Sequence, residues 1–280
     1  MNQFILAIQS IRAYNQWFSQ GVALYSGIDA ATLLTIEKNC QSVLNQFQTL
    51  SSQLGGLQYR WNILMTNKNT TNTVMLSGIL KQIEAQSKLV LDNCVSLSQL
   101  ATTLNNDIQN QLPVLQSQLN TAQQNLSVDQ ANLTATINKY NDIEVQITKL
   151  NSIYGYSFLF VPERIEYNNL RNEEVAVANE RVQAQQAVSQ TQMQISYINQ
   201  QLSVLQSVHP IVINLNNVTD GISLLNQQIQ TVITIGESVD TSSMPGQSPT
   251  TITSYLLIQP TFETAMNDLL TSSRELIGAL

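Results

Sequence analysis

The spacing of apolar residues over two long stretches constrains the fold of this chain more than any other feature. Between residues 108 and 154, and again between 184 and 205, residues recur at alternating steps of mostly four and three. This heptad spacing is typical of helices that pack against each other over many turns. The positions are Ile108, Leu112, Leu115, Leu119, Ala122, Leu126, Asp129, Leu133, Ile137, Tyr140, Ile147, Leu150 and Tyr154, followed by Ala184, Val188, Thr191, Ile195, Ile198, Leu202 and Leu205.

A short connection joins the two stretches, and helices joined in this way pack antiparallel. The connection, Tyr154 to Val161, reads YGYSFLFV; it carries no charge and alternates aromatic residues with others, in a chain that is only 6% aromatic. Pro162 and Glu163 then form a typical helix start. An exposed apolar segment of this kind marks a contact with a membrane or with a partner, and aromatic side chains suit the bilayer interface.

We therefore predict a membrane-insertion tip within residues 151–162, at one end of the hairpin. A second interpretation stays open, in which the same residues close the end of the hairpin as a small core. The tip is too short to cross a bilayer as a helix. Its predicted contact residues are Tyr154, Gly155, Tyr156, Phe158, Leu159, Phe160 and Val161.

The segments outside the hairpin also predict helices, and the scarcity of glycine and proline favours long ones. The predicted fold class is all-α: an elongated bundle of about five helices, with a tail made of residues 1–107 and 209–280 and the antiparallel hairpin at 108–208. The first predicted tail features are a helix at 4–18, a helix that Asp29 caps and that ends near Met65, a turn at 67–73, and a helix from Val74 whose apolar side carries Leu76, Leu80, Ile83, Leu91, Val95 and Leu100. The later ones are a break at His209–Pro210, a helix at 211–238, a loop at 240–251 and a final helix capped by Thr261.

Composition and motifs exclude several functions. A net charge of −7 argues against nucleic acid, which needs a basic surface. The single histidine, His209, stands alone, and the sequence has no glycine-rich phosphate loop and no HExxH, GxSxG or CxxC motif. We expect neither an enzyme nor a cofactor or metal site. Cys40 and Cys94 are interpreted as buried thiols, with a disulfide between two helices as the alternative.

The N-terminal segment is a second candidate for contact with a membrane. Its apolar run, Phe4 to Ile8, is too short for a signal peptide, and no stretch approaches the roughly 20 apolar residues of a transmembrane helix. We expect a soluble monomer that is secreted or released without a recognisable signal peptide and then converts to a membrane-bound form. An amphipathic N-terminal helix could support insertion through Phe4, Ile8, Ile11, Trp17 and Phe18.

This organisation resembles the helical pore-forming toxins typified by cytolysin A, haemolysin BL, the non-haemolytic enterotoxins and the helical insecticidal toxins. The resemblance is carried by the heptad stretch Ile108 to Leu150, the tongue-like Tyr154 to Val161 and the return stretch Pro162 to Val208. It implies a protein that binds target-cell membrane lipid, inserts its apolar head and assembles as a homo-oligomer or with another toxin component. The short tip favours one component of a multi-part toxin. The competing hypothesis is a non-lytic coiled-coil scaffold that binds other proteins.

Overall fold

The computed structural model describes residues 3–21, 26–67, 71–154, 161–242 and 260–280. In these ranges the chain is built from α-helices without any strand, which confirms the predicted all-α class. The helices are α1 (Gln3–Ser19), α2 (Ala30–Asn67), α3 (Thr71–Tyr154), α4 (Val161–Leu215), α5 (Thr219–Ser242) and α6 (Pro260–Ala279). The contacts divide the chain into two compact units: a tail unit, Met1–Gln109 with Val204–Leu280, and a hairpin unit, Asn110–Ser203.

In the tail unit, the apolar residues of α2 recur at steps of three and four from Leu33 to Trp61. All of these heptad residues are buried, because α2 contacts α1 on one side and α6 on another. The Asp29 carboxylate caps its first turn by accepting a hydrogen bond from the Thr32 backbone N–H at 3.0 Å, as predicted. The buried positions of α2 are Leu33, Ile36, Cys40, Val43, Phe47, Leu50, Leu54, Leu57 and Trp61.

The buried face of α3 in the tail unit differs from the predicted one after residue 83. Leu91 is half-buried and Val95 exposed, so the predicted face is wrong there. The heptad passes instead through Ser87, whose hydroxyl is buried and donates to Asn226 Oδ1 at 2.9 Å. A polar residue on the core face concealed the register in the sequence. The buried positions are Leu80, Ile83, Ser87, Val90, Cys94, Leu97, Ala101, Leu104 and Ile108.

Several predicted boundaries are also wrong. The return helix does not end at His209–Pro210, because α4 continues to Leu215 with Pro210 inside it. His209 Nε2 lies 3.0 Å from Asn105 Oδ1, which connects α4 to α3 at this point. The final helix begins at Pro260, so Thr261 lies in its first turn rather than at its cap. The predicted turn at 67–73 is shorter, since α2 reaches Asn67 and α3 begins at Thr71.

The two cysteines are free thiols, which rules out the alternative of a disulfide in this structure. Cys40 and Cys94 both have no exposed surface. Burial raises the pKa of Cys94 to about 12, and burial followed by the nearby Glu37 charge raises the pKa of Cys40. Both groups are therefore neutral apolar core residues near neutral pH.

Candidate functional site

The predicted tip is carried by the hairpin unit, in which α3 and α4 run antiparallel. The Thr191 hydroxyl donates to Asp129 Oδ2 at 2.8 Å. Nearer the tip, Lys139 Nζ lies 3.6 Å from Glu173 Oε1. As residue numbers rise along α3, the residue numbers of the partners on α4 fall. This order confirms the predicted antiparallel pair of long helices.

The fully buried residues of the apolar seam between the described parts of the two helices form two patches. One patch lies at the end far from the tip, and the other lies close to the tip. Between them, seam residues such as Leu126, Leu133, Val188 and Ile195 are half-buried, because each helix of a pair has only one neighbour to cover it. The far patch contains Leu115, Leu119, Ala122, Ile198 and Leu202, and the patch near the tip contains Ile143, Ile147 and Val177 with Tyr140, Tyr167 and Leu170 packed around them.

Arginine and tyrosine side chains cover the patch near the tip. The Arg181 guanidinium on α4 lies over the Tyr140 ring on α3, 4.7 Å from its centroid. Arg171 Nη1 lies 2.8 Å from Glu174 Oε2, and its Nε donates to the Tyr167 hydroxyl at 3.1 Å. The hydrogen bonds to Tyr167 and Glu174 raise the pKa of Arg171. Desolvation, then the Glu144 and Glu174 charges, raise the pKa of Tyr140.

These charged groups belong to two bands of charge, one on α3 and one on α4, that lie on either side of the tip in the sequence. Within the hairpin unit, Asp129 is the one charged residue outside the interval 139–181. Lys149 precedes the end of α3 at Tyr154 by five residues, or about 8 Å of helix, and Arg164 follows the start of α4 by about 5 Å. The uncharged segment between these two bands of charge is therefore short.

Most of the predicted tip lies outside the described residues. Tyr154 is the last residue of α3 and Val161 the first of α4, but their side chains are not described. The predicted contacts Gly155, Tyr156, Phe158, Leu159 and Phe160 fall in the undescribed range 155–160. Their role in membrane contact stays a prediction. The structure shows only that this segment connects the end of α3 to the start of α4.

Comparison with known proteins identifies the fold. No protein-family model matches the sequence, and no curated protein matches it either. Solved structures do match. Soluble AhlC of the tripartite α-pore forming toxin AHL from Aeromonas hydrophila aligns with a TM-score of 0.55 at 16% identity, over 98% of each chain. The pre-pore AhlB of the same toxin gives 0.52 at 9% identity, over 100% of this chain and 92% of AhlB. XaxB from Xenorhabdus gives 0.52 at 11% identity, over 96% of this chain and 98% of XaxB.

This chain has the α-pore-forming toxin fold. Sequence identities this low show the fold alone, and the structural alignments extend over almost the whole of both chains. The resemblance that the heptads and the apolar connection suggested is confirmed at that level. In this α-pore-forming toxin fold, the described helices include none that is long and apolar enough to cross a membrane.

The second predicted membrane element, in α1, is packed into the core of the toxin fold. Phe4, Ile8, Ile11 and Trp17 are buried, and Phe18 is half-buried. The Phe4 ring meets the Phe47 ring edge-on at 6.4 Å between centroids. The Phe4 ring also lies so near Gly221 that a Cβ there would come within 3.1 Å of the ring. A membrane role for α1 stays a prediction, and it requires these side chains to leave their packed positions.

Two features of the toxin fold were missed by the sequence reasoning. The first is the stacking of Arg181 on Tyr140, which joins the two helices and follows from no motif. The second is a row of exposed apolar residues on the outer side of α4, which includes Val182 and Met193. Val182 and Met193 lie outside the seam of threes and fours, so the heptad pattern did not single them out. Across the residues that the structure describes, no three His, Cys, Asp or Glu side chains gather as a metal site would require.

Proposed function

We propose that this protein is one component of a multi-part pore-forming toxin, which binds a target-cell membrane through the apolar tip at 151–162 and oligomerises there. The observation that carries the proposal is an uncharged aromatic segment at the turn of a long helical hairpin, in a fold shared with AhlC of a tripartite toxin. A chain of this fold without an enzyme motif acts through binding and assembly.

The length of the tip argues for insertion into one leaflet. The uncharged segment between Lys149 and Glu163 joins two antiparallel helices, so about six of its residues belong to each side. Six residues reach about 9 Å as a helix and about 20 Å when extended, against a hydrocarbon core of about 30 Å. Burying Lys149 or Arg164 in lipid would cost free energy. The tip therefore anchors the protein, and crossing the bilayer falls to an assembly with other components.

The free energy of anchoring comes from apolar side chains rather than from charge. Five large side chains of the tip contribute roughly 1.5–3 kcal/mol each when they are fully buried, or about 7–15 kcal/mol before ordering costs. The protein has a net charge of −7, so anionic headgroups repel it. We therefore expect binding to neutral lipid vesicles that changes little with salt concentration.

Vesicle flotation tests the proposal. The intact protein should float with phosphatidylcholine vesicles at both low and high salt, whereas a Phe158→Asp/Phe160→Asp variant should stay at the bottom of the gradient. A matched control, Gln124→Asp/Asn138→Asp, adds the same charge at exposed positions of α3 and should float like the intact protein. Circular dichroism confirms that all three remain helical.

The outcome also separates the proposal from the scaffold hypothesis. A scaffold would leave the intact protein at the bottom of the gradient, and this result would overturn the proposal. Equal flotation of the intact protein and the Phe158→Asp/Phe160→Asp variant would show that a segment other than the tip binds lipid. Dye release from the same vesicles then measures whether the protein forms pores alone; we expect little release without a second component.

A further inference from the structure

Two cations stand at the ends of the uncharged segment that contains the tip. Lys149 is the last charged residue of α3, and Arg164 is the first cation of α4. Both side chains are exposed, and neither forms an ion pair with a described side chain. An exposed cation contributes little to a fold in water, so the place of these two matters only when the tip meets another surface.

The register of the two helices places both cations at the same level of the hairpin unit. Near the tip, Lys139 Nζ on α3 lies 3.6 Å from Glu173 Oε1 on α4. Counting ten residues toward the tip along each helix pairs Lys149 with position 163, which is one residue, or about 1.5 Å of helix, from Arg164. The two cations therefore reach a flat surface at the same depth when the tip enters it.

The acidic residues around these cations lie mostly farther from the tip. Glu166 is two residues beyond Arg164, and Glu144 is five residues before Lys149, which are about 3 and 8 Å of helix. Both glutamates are exposed. The exception is Glu163 in the first turn of α4, a position where acidic residues are favoured by the helix itself. The charge next to the tip is therefore net positive, and it becomes acidic with distance from the tip.

We propose that Lys149 and Arg164 bind the phosphates of zwitterionic phospholipid headgroups when the tip enters a leaflet. The phosphate of such a headgroup lies on the acyl-chain side of its ammonium group. An inner layer of cations followed by an outer layer of carboxylates matches this order of charges, whereas a purely anionic headgroup would repel the outer carboxylates. Lysine and arginine reach polar groups while their stems stay along an apolar surface, and their hydrogen bonds to phosphate are charge-assisted.

This inference rests on the proposed function, because it names the headgroup at the depth that the tip reaches. Burial of aromatic side chains alone does not distinguish a phospholipid from a lipid without phosphate, since the acyl chains of the two are alike. The two cations add that distinction. The protein would then select its membrane by the phosphate layer as well as by the apolar core.

Flotation with two neutral lipids tests the inference. Phosphatidylcholine carries the phosphate, and digalactosyl diacylglycerol does not. Lys149→Gln/Arg164→Gln should need at least about tenfold more phosphatidylcholine than the intact protein for half-maximal flotation, since a single hydrogen bond to a charged group is worth about that factor. The matched control Lys38→Gln/Lys88→Gln removes the same charge from exposed positions of the tail unit and should float like the intact protein. Circular dichroism checks that every variant is helical.

The second lipid separates the role of the cations from that of the tip. On digalactosyl diacylglycerol, Lys149→Gln/Arg164→Gln and the intact protein should bind alike. Lys149→Arg/Arg164→Lys keeps both charges and should match the intact protein on phosphatidylcholine. An unchanged Lys149→Gln/Arg164→Gln variant on phosphatidylcholine, or an equal loss on both lipids, would overturn the inference and leave insertion by the tip standing. Failure of the intact protein to float with either lipid would refute the proposed function, and this inference with it.

Inorganic phosphate distinguishes a lipid headgroup from a free anion as the ligand. Flotation of the intact protein with phosphatidylcholine should be the same in phosphate and in chloride at equal ionic strength, because the inserted tip already holds the headgroups beside Lys149 and Arg164. Displacement by inorganic phosphate would mean that these cations form a site for a free anion, and it would overturn the assignment to lipid.

Discussion

Replacing Ile11 with alanine tests whether α1 is a permanent part of the core. Ile11 has no exposed surface, and α1 packs against α2, α5 and α6. The substitution removes three carbon groups, or about 2.4 kcal/mol at 0.8 kcal/mol per buried methylene. Surrounding helices collapse only partly, so the cavity adds to the loss. We expect Ile11→Ala to lower the free energy of unfolding by about 3–4 kcal/mol.

Urea denaturation followed by tryptophan fluorescence measures this loss in the relevant unit. Both tryptophans of the chain, Trp17 and Trp61, are buried residues of the tail unit. With a slope of about 3 kcal/mol per molar urea, the midpoint should fall by about 1 M. Leu6→Ala is the matched control, since Leu6 lies on the same helix with 42% of its surface exposed, and it should cost about 1 kcal/mol or less.

The comparison bears directly on the membrane hypothesis for α1. Phe4, Ile8, Ile11 and Trp17 contribute roughly 1.5–3 kcal/mol each by burial, or about 6–12 kcal/mol together. This sum is comparable to the whole free energy of unfolding of an ordinary domain. In water α1 should therefore stay in place, and only lipid could replace its core contacts. Equal midpoints for Ile11→Ala and Leu6→Ala would refute the reasoning, because they would mean that α1 is not packed in solution.

Three further predictions concern other parts of the chain. The Thr32 hydrogen bonds lower the pKa of Asp29. The contribution of Asp29 to stability should therefore be complete above its unfolded pKa near 3.8 and should disappear as the pH falls through its lower folded pKa. Asp29→Asn, which still caps the helix, should lose this part of the acid dependence in urea titrations. Cys40 and Cys94 should react with Ellman's reagent only after unfolding, and fast reaction in the native protein would contradict their burial. Asp129→Ala should destabilise the hairpin unit by about 1 kcal/mol, since it removes the hydrogen bond that the Thr191 hydroxyl donates at 2.8 Å. Hydrogen exchange of the α3 amides near residue 129 should then become faster, and unchanged exchange would argue against this contact.

The heptad residues alone were enough to predict the helical class and the antiparallel hairpin. An α-helix has a fixed periodicity, so apolar positions such as Leu119 and Ile198 identify its packed side without knowledge of the neighbouring helices. Local chemistry was also enough for the Asp29 cap, because the carboxylate acts on the backbone of the next turn. Helix ends were less predictable: Pro210 stops an isolated helix, but α4 passes through it, with His209 and Asn105 in contact there.

Only the tertiary structure decided whether an apolar helix face is packed in the protein core or exposed. The apolar face of α1 suits lipid and protein core equally well, since both are apolar surroundings. Only the packing of Phe4 against Phe47 and Gly221 assigns this face to the core. For the same reason the sequence did not show that Val182 and Met193 on α4 are exposed to solvent. Periodicity along one helix specifies a face, whereas the partner of that face depends on residues distant in the chain.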